Sequence, residues 1–165
     1  MDAWVRPLVA HYALSQGLMA TAVQDLSDDD AKRRSRAGAG PSVVWTIGHL
    51  CHWKIQMLAL LGTARDNPFT TQFDKAAASD GRDYPALASL MESWQGLSAE
   101  LIGTLGVAPA AQLEAPMPGA GAHAEKTIFD TLLFFAWHEA YHLGAIGAIR
   151  RDLGRKAISE LVLGR

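Results

Sequence analysis

Four long segments of this chain carry apolar residues at spacings of three and four, which is the period of an amphipathic α-helix. These segments cover residues 3–25, 43–61, 83–106 and 127–153. No segment shows sustained alternation of apolar and polar residues, so the sequence predicts no β-strand. Because 49% of its 165 residues are hydrophobic, the chain has enough apolar material for a single core. We therefore predict an all-α four-helix bundle in which residues 1–165 form one domain.

Local signals mark the ends of the predicted helices. Ser42 precedes the second helix as a candidate N-cap, and Gly62 follows it where a helix commonly ends in a glycine. Asp83 is the predicted cap of the third helix. Thr127, with Asp130 three residues later, has the pattern of a capping box at the start of the fourth helix.

The connections between helices 2 and 3 and between helices 3 and 4 are long. Residues 63–83 contain Asn-Pro and Asp-Gly steps, and residues 107–126 contain three prolines and several glycines, which interrupt any helical period. Each connection has about twenty residues, more than a hairpin between neighbouring helices needs. Such lengths permit a crossover connection and leave the order of the helices in the bundle open.

Charge and composition argue against several classes of partner. The net charge is −2, and the one basic cluster, residues 32–36, directly follows three aspartates at residues 28–30. Nucleic-acid binding therefore has no electrostatic support. No uncharged apolar run approaches the roughly 20 residues that span a bilayer, and the first residues lack the pattern of a secretory signal. With Cys51 as the single cysteine, we expect a cytoplasmic protein without disulfides and without a membrane partner.

Two histidines four residues apart, His138 and His142, lie in the motif H-E-A-Y-H of the predicted fourth helix. Residues at this spacing share a helix face, with Cβ atoms about 5 to 6 Å apart, so both rings can reach one ion. The second helix supplies His49 and His52 from a neighbouring position in the bundle. His49 is the better third ligand because Gly48 beside it leaves room for a close approach, and His52 is the reserve. The predicted metal site is His49, His138 and His142.

The predicted site has a definite chemistry. Three histidine ligands leave one or more coordination positions open, which is typical of catalytic rather than structural metal sites. A metal held in this way lowers the pKa of bound water to about 7 or stabilises a thiolate, and either gives a nucleophile at neutral pH. The remaining histidines, His11, His52 and His123, are interpreted as ordinary core or surface residues. In a metal-free structural bundle, substitution of the three candidate ligands would change stability without changing metal content.

The motif H-E-A-Y-H also fits the H-E-x-x-H pattern of zinc peptidases, in which the glutamate is the general base. The extended form of that pattern requires a glycine and a third histidine, and Ala145 and Ala148 occupy those positions. No strand is predicted upstream that would form the substrate-binding sheet edge. A peptidase is therefore the less favoured interpretation.

Two motifs together, S-V-V-W-T-I-G-H-L at residues 42–50 and H-E-A-Y-H-L-G-A-I at residues 138–146, resemble those of the DinB/YfiT-like metalloenzyme family. The resemblance extends over nearly the whole chain, from His11 and Tyr12 to the R-R-D-L-G run. It implies a four-helix bundle and a divalent metal, usually nickel or zinc, on His49, His138 and His142. It further implies frequent homodimers and, despite the family name, no DNA binding.

The same resemblance implies two kinds of activity on a small-molecule substrate. Characterised relatives include metal-dependent hydrolases and enzymes that use a low-molecular-weight thiol, such as bacillithiol or mycothiol, for S-transfer or isomerisation. The predicted function is one of these two, and the alternative is a non-catalytic dimeric bundle that binds metal or small molecules. An acid or base near the open coordination position would favour catalysis, and no Asp or Glu of the sequence is evidently placed there.

The neighbours of the candidate ligands receive weaker predictions. Glu139 points about 100 degrees around the helix from His138, so we interpret it as a structural residue that pairs with Lys54 or Arg150. Tyr141 fits either the edge of a pocket or the core. The tryptophans beside the histidines are more typical of core than of a substrate pocket.

Overall fold

The computed structural model describes residues 1–74, 83–118 and 126–164. Its helices, in chain order, are α1 (Arg6–Val23), α2 (Asp28–Lys32), α3 (Val43–Leu60), α4 (Thr70–Phe73), α5 (Leu87–Val107), α6 (Ala110–Leu113), α7 (Ile128–Asp152) and α8 (Ile158–Leu163). The four long helices α1, α3, α5 and α7 correspond to the four predicted segments. Within the described ranges there is no strand, only an isolated bridge between Pro116 and Thr127. The predicted all-α bundle is confirmed.

The helix ends follow local signals in three of the four predicted cases. The Ser42 hydroxyl accepts a hydrogen bond from the Trp45 amide at 3.2 Å, and Thr127 forms the predicted capping box with Asp130. Gly62 has a φ of +92°, as expected for a residue that ends a helix in the left-handed region.

The predicted cap of α5 is wrong. This helix begins at Leu87, and no side chain of its own segment caps it. Instead, a carboxylate oxygen of Asp28, in the first turn of α2, accepts a hydrogen bond from the Leu87 amide at 2.7 Å. Asp83 lies too far from the first turn to do this. The cap comes from another element that lies close in space, and local sequence gives no sign of it.

Contacts between the long helices define the order of the bundle. α1 packs against α5 and α7, and α3 packs against the same two helices. α1 and α3 therefore lie diagonally across the bundle, as do α5 and α7. His11 in α1 lies beside Ala136 in α7, and Ala22 lies beside Arg150, so α1 and α7 run in the same direction.

The directions of α3 and α5 also follow from contacts between residues of neighbouring helices. Trp45 and Trp53 in α3 lie beside His142 and Phe135 in α7, respectively, so α3 is antiparallel to α7. Gln16 in α1 bonds to the Gln95 carbonyl in α5, while the end of α1 adjoins the start of α5, so this pair is also antiparallel. The long helices thus run up, down, down and up. The parallel neighbours α3 and α5 require the long connection between them.

Short helices cover the bundle in segments that the sequence pattern assigned to loops. α2 packs against α3, α4 packs against α3, and α8 packs against α1. One of them, α8, lies beyond the last predicted helix. Within the described ranges, no helix combines the length and the apolar character needed to cross a bilayer.

Candidate metal centre

The three predicted ligands meet between α3 and α7. The Nε2 atom of His138 lies 3.4 Å from Nε2 of His49 and 3.0 Å from Nε2 of His142. His49 and His142 are buried and His138 is half-buried. Of the residues that the structure describes, these three form the one group of metal-ligating side chains close enough to hold an ion.

The spacing of the three nitrogens fits a metal ion. Bonds of about 2.0 to 2.1 Å in a tetrahedral arrangement place ligand nitrogens about 3.3 Å apart. The two Nε2 separations, 3.0 and 3.4 Å, lie close to this value. Side chains from antiparallel helices reach the same point because the i, i+4 pair on α7 faces His49 on α3. The three histidines are therefore close enough together to hold a divalent ion.

The ring of His49 is oriented by the main chain of α4. Its Nδ1 atom donates a hydrogen bond to the Phe73 carbonyl at 2.7 Å, which leaves the lone pair on Nε2 facing the other two histidines. Such a bond on the far nitrogen is typical of histidine metal ligands. Gly48 makes it possible, since a Cβ at that position would lie within 2.6 Å of the Phe73 ring. The Trp45 ring stacks on the His49 ring, with centroids 4.8 Å apart.

Burial keeps the three imidazoles neutral. Burial, with a smaller contribution from the neighbouring histidines, lowers the pKa of His142 to about 3 and that of His138 to about 4. The pKa of His49 is also lowered, chiefly by burial, although the bond to Phe73 opposes the shift. A metal ion binds the neutral form of imidazole, so no proton has to be displaced from these rings at pH 7.

His138 and His142 lack the support that His49 has. The Nδ1 atoms of both rings are buried and have no hydrogen-bond partner among the described residues. Without a partner on Nδ1, the tautomers of these two rings are fixed only by what lies at their Nε2 atoms. An ion bound to both Nε2 atoms would therefore place the protons on Nδ1.

The histidines line a cavity of about 820 Å³. Its walls are largely aromatic, and the aromatic side chains that line it are Trp45, Trp53, Phe134, Phe135 and Tyr141. Trp45 and Trp53 thus belong to the pocket as well as to the bundle. The polar and charged side chains at the cavity, apart from the histidines, are Arg34, Arg36 and Asp74. A cavity of this size accommodates a small organic molecule beside the metal position.

A carboxylate near the site, Asp74, was missed by the sequence analysis. The Nε2 atom of His52 lies 3.3 Å from an Asp74 carboxylate oxygen, and Nδ1 of His52 accepts a hydrogen bond from the Asn67 amide at 3.0 Å. Asp74, one residue after Phe73, therefore lies against the buried His52 imidazole and lines the cavity. The segment carries no helical period or motif, so only the fold brings it to the histidines.

The neighbouring Glu139 has the structural role predicted for it. Its carboxylate pairs with Lys54 in the bundle interior, where both side chains are almost fully buried. The Lys54 ammonium lies 4.2 Å from the centre of the Trp94 ring. Arg150, the other predicted partner, pairs instead with Asp25 at the end of α1.

The remaining predictions have mixed outcomes. His52, the reserve ligand, does not join the triad, and His11 bonds to the Ala136 carbonyl. Tyr141 is 58% exposed and lies at the cavity edge rather than in the core. Cys51 is a core residue, and burial raises the pKa of its thiol to about 12. His123 lies outside the described residues.

The bundle and its site define a class of protein: an all-α fold with three inward histidines at one open cavity. The family model of the DinB superfamily matches residues 11–146. The chain belongs to the DinB superfamily. A search of curated proteins finds no match.

Proposed function

We propose that this protein is a metal-dependent enzyme whose ligands are His49, His138 and His142. The observation that carries the proposal is the convergence of their three Nε2 atoms at one wall of an open cavity. Membership in the DinB superfamily supports it. Imidazole ligands suit nickel or zinc, which are the metals we propose. The bound ion would activate a water molecule or a thiol for attack on a small-molecule substrate.

The reaction that we propose is hydrolysis or transfer of a low-molecular-weight thiol. Both need a group that accepts or delivers a proton near the open coordination position. Asp74 lines the cavity beside His52, which places a carboxylate where this task needs one. The aromatic walls exclude water from the apolar part of a substrate. These residues favour an enzyme over the alternative, a dimeric bundle that binds metal or small molecules without turnover.

The first experiment is elemental analysis of metal in the purified wild type and in the His138→Ala variant. We expect about one nickel or zinc ion per chain in the wild type and loss of that ion in the variant. His52→Gln is the matched control, because it removes a buried histidine from the same helix face as His49 and should retain the metal. Equal metal content in His138→Ala and the wild type would contradict the proposed ligands.

A second experiment separates an enzyme from a binding protein. Metal-loaded wild type is screened against ester and lactone hydrolysis and against thiol transfer with bacillithiol, mycothiol and glutathione. For any activity found, Asp74→Asn should lower kcat roughly a hundredfold or more while leaving metal content unchanged. Full activity in that variant would remove Asp74 from the mechanism, and inactivity of the wild type in all assays would favour the binding alternative.

We also propose that the protein forms a homodimer through an exposed apolar face of α7, which includes two residues of the cavity wall, Phe134 and Tyr141. Phe134, Trp137 and Tyr141 are each more than half exposed, and Leu133 adjoins them on the same face. A contiguous apolar patch of this kind on a surface helix is typical of an interface. Light scattering should give a dimer for the wild type and a monomer for Trp137→Glu. A wild type that stays monomeric at high concentration would contradict this proposal.

Two further proposals concern the chain as a whole. The short helices pack directly on the four long ones, which supports a single domain over residues 1–165. A buried thiol at Cys51 and the absence of any second cysteine suit a reducing compartment, so we propose a cytoplasmic location.

A further inference from the structure

We propose that the cavity beside the histidines takes a small organic carboxylate with a flat apolar body, and that Arg34 and Arg36 bind its carboxylate. This inference deepens the proposed function, since it names the substrate class of the same cavity. It begins from the two guanidinium groups at the cavity wall.

The charges of these arginines are not cancelled by the preceding aspartates, contrary to what their proximity in sequence suggests. Asp28 pairs with Lys32 and caps α5, and Asp30 pairs with Arg155. Neither Arg34 nor Arg36 has a carboxylate partner within the described part of the chain. Two arginines without an ion-pair partner among the described residues therefore line the cavity.

The main chain holds one of these arginines, Arg34, in place. The Nε group of Arg34 donates to the Gly40 carbonyl at 2.9 Å, which leaves its two terminal nitrogens available to a ligand. The turn is closed by Ser35, whose amide and hydroxyl both donate to the Pro41 carbonyl, at 3.1 and 3.0 Å. A fixed guanidinium loses little conformational entropy when it binds a carboxylate.

The same turn carries backbone strain. Arg36 and Ala37 each have a φ of +52°, a left-handed conformation that is costly for residues with a Cβ. Such conformations persist where the surrounding contacts enforce them and are frequent at ligand sites. Here the strained residue is itself one of the two arginines at the cavity.

The charge and shape of the cavity select the ligand. Against two arginines stands one carboxylate, Asp74, so the charged side chains that line the cavity sum to a positive charge. A divalent ion on the histidines would make the cavity still more positive. Arginine binds carboxylates in a planar two-point arrangement, and the indole and phenyl walls suit a flat apolar body. A neutral or cationic substrate would leave both guanidinium groups unpaired beside the metal.

The test is titration calorimetry with 3-phenylpropionate and its neutral analogue 3-phenylpropanamide, on metal-free and zinc-treated protein. We expect the carboxylate to bind at least tenfold more tightly than the amide. The Arg34→Gln/Arg36→Gln variant should lose at least tenfold in affinity for the carboxylate. Arg33→Gln is the matched control, because it removes the same charge from an exposed neighbour outside the cavity and should change affinity less than twofold.

Measurements on both forms of the protein keep this proposal separate from the proposed function. Weaker carboxylate binding in the double variant of the metal-free protein supports the arginine site even if elemental analysis finds no metal. Carboxylate binding that requires zinc and is unchanged in the double variant would show that the ligand sits on the metal, and would overturn the proposal. Equal binding of acid and amide by the wild type would also overturn it. If the double variant fails to fold, Arg36→Gln alone, at an exposed side chain, should still weaken binding severalfold.

Discussion

Each histidine of the triad is held neutral by its surroundings. When no metal is bound, this makes the free energy of unfolding depend on pH. The lowered pKa values of His138 and His142, about 4 and about 3, mean that the folded chain resists protonation that the unfolded chain accepts. An unfolded histidine has a pKa of about 6.5. Between these values the unfolded state binds more protons than the folded state, so acid favours unfolding.

We therefore predict that the metal-free protein loses stability as the pH falls from 7.5 to 5. The contribution of the histidines is fully present above about pH 6.5 and is lost progressively below it, toward the folded pKa values. Urea unfolding of the metal-free wild type at several pH values measures this loss. In His142→Asn, the free energy of unfolding should fall less steeply between pH 7.5 and 5. An equally steep fall would contradict the attribution of this pH dependence to the histidines.

Gly48 is a second residue whose role depends on contact with another segment. In Gly48→Ala, the new methyl group would displace the Phe73 ring and with it the carbonyl that orients His49. We expect metal affinity to fall roughly 10- to 100-fold and stability to fall by about 1 to 3 kcal/mol. Competition with a chromophoric chelator measures the change in metal affinity.

The control for this prediction is Gly103→Ala. Gly103 lies on an exposed face of α5 and has nothing within 4 Å of its missing Cβ. This variant should gain about 0.5 to 1 kcal/mol from helix propensity and keep its metal affinity. Unchanged metal affinity in Gly48→Ala would show that the Phe73 contact does not support the site.

At the level of the elements, α3 and α7 are joined by two interactions of different kinds. The triad lies toward the cavity, and the Lys54–Glu139 pair lies toward the bundle interior, one position along α7 from His138. The second oxygen of Glu139 has no hydrogen-bond partner within the described residues. Burial raises the pKa of Glu139, and the Lys54 ammonium opposes that shift. Removal of either Lys54 or Glu139 alone should therefore destabilise the fold.

We predict that Lys54→Met destabilises the protein by about 3 to 5 kcal/mol, because it leaves a buried carboxyl group without its cation. The double variant Lys54→Met/Glu139→Leu should recover most of this loss, since no buried charge remains. Urea unfolding of the single and double variants measures both free energies. Arg151→Met, which breaks the exposed pair with Glu160, is the matched control and should cost less than about 1 kcal/mol. A similar cost for both single variants would contradict the buried-pair argument.

At the level of the whole molecule, the site joins two helices that are distant in sequence. His49 and His138 are 89 residues apart in the chain. An ion that binds only the folded arrangement stabilises it by mass action. Metal binding and global stability are therefore linked in this fold.

We predict that free metal at 100 times its dissociation constant stabilises the wild type by about 2.7 kcal/mol. For a chain of this size the midpoint of thermal unfolding should rise by roughly 5 to 10 °C. Scanning calorimetry with and without added metal measures the rise. The rise should be absent in His138→Ala and present in His52→Gln, and a rise of equal size in His138→Ala would place the ion elsewhere.

The sequence by itself determined the four long helices and two of their N-caps. The 3.6-residue period, the Ser42 cap and the Thr127 capping box act within a few residues, so they can be read without a structure. The i, i+4 spacing of His138 and His142 is equally local. Gly48 singled out His49 as the third member because it left room on that side of α3.

Only the tertiary structure decided which distant segments meet. The Asp28 cap of α5, the Phe73 carbonyl on His49, the carboxylate of Asp74 at the cavity and the free charges of Arg34 and Arg36 all depend on contacts between separate elements. The order of the helices in the bundle also depends on contacts between separate elements. Helical periodicity specifies which face of a helix is buried, but the packing of several faces at once selects the neighbour that buries it.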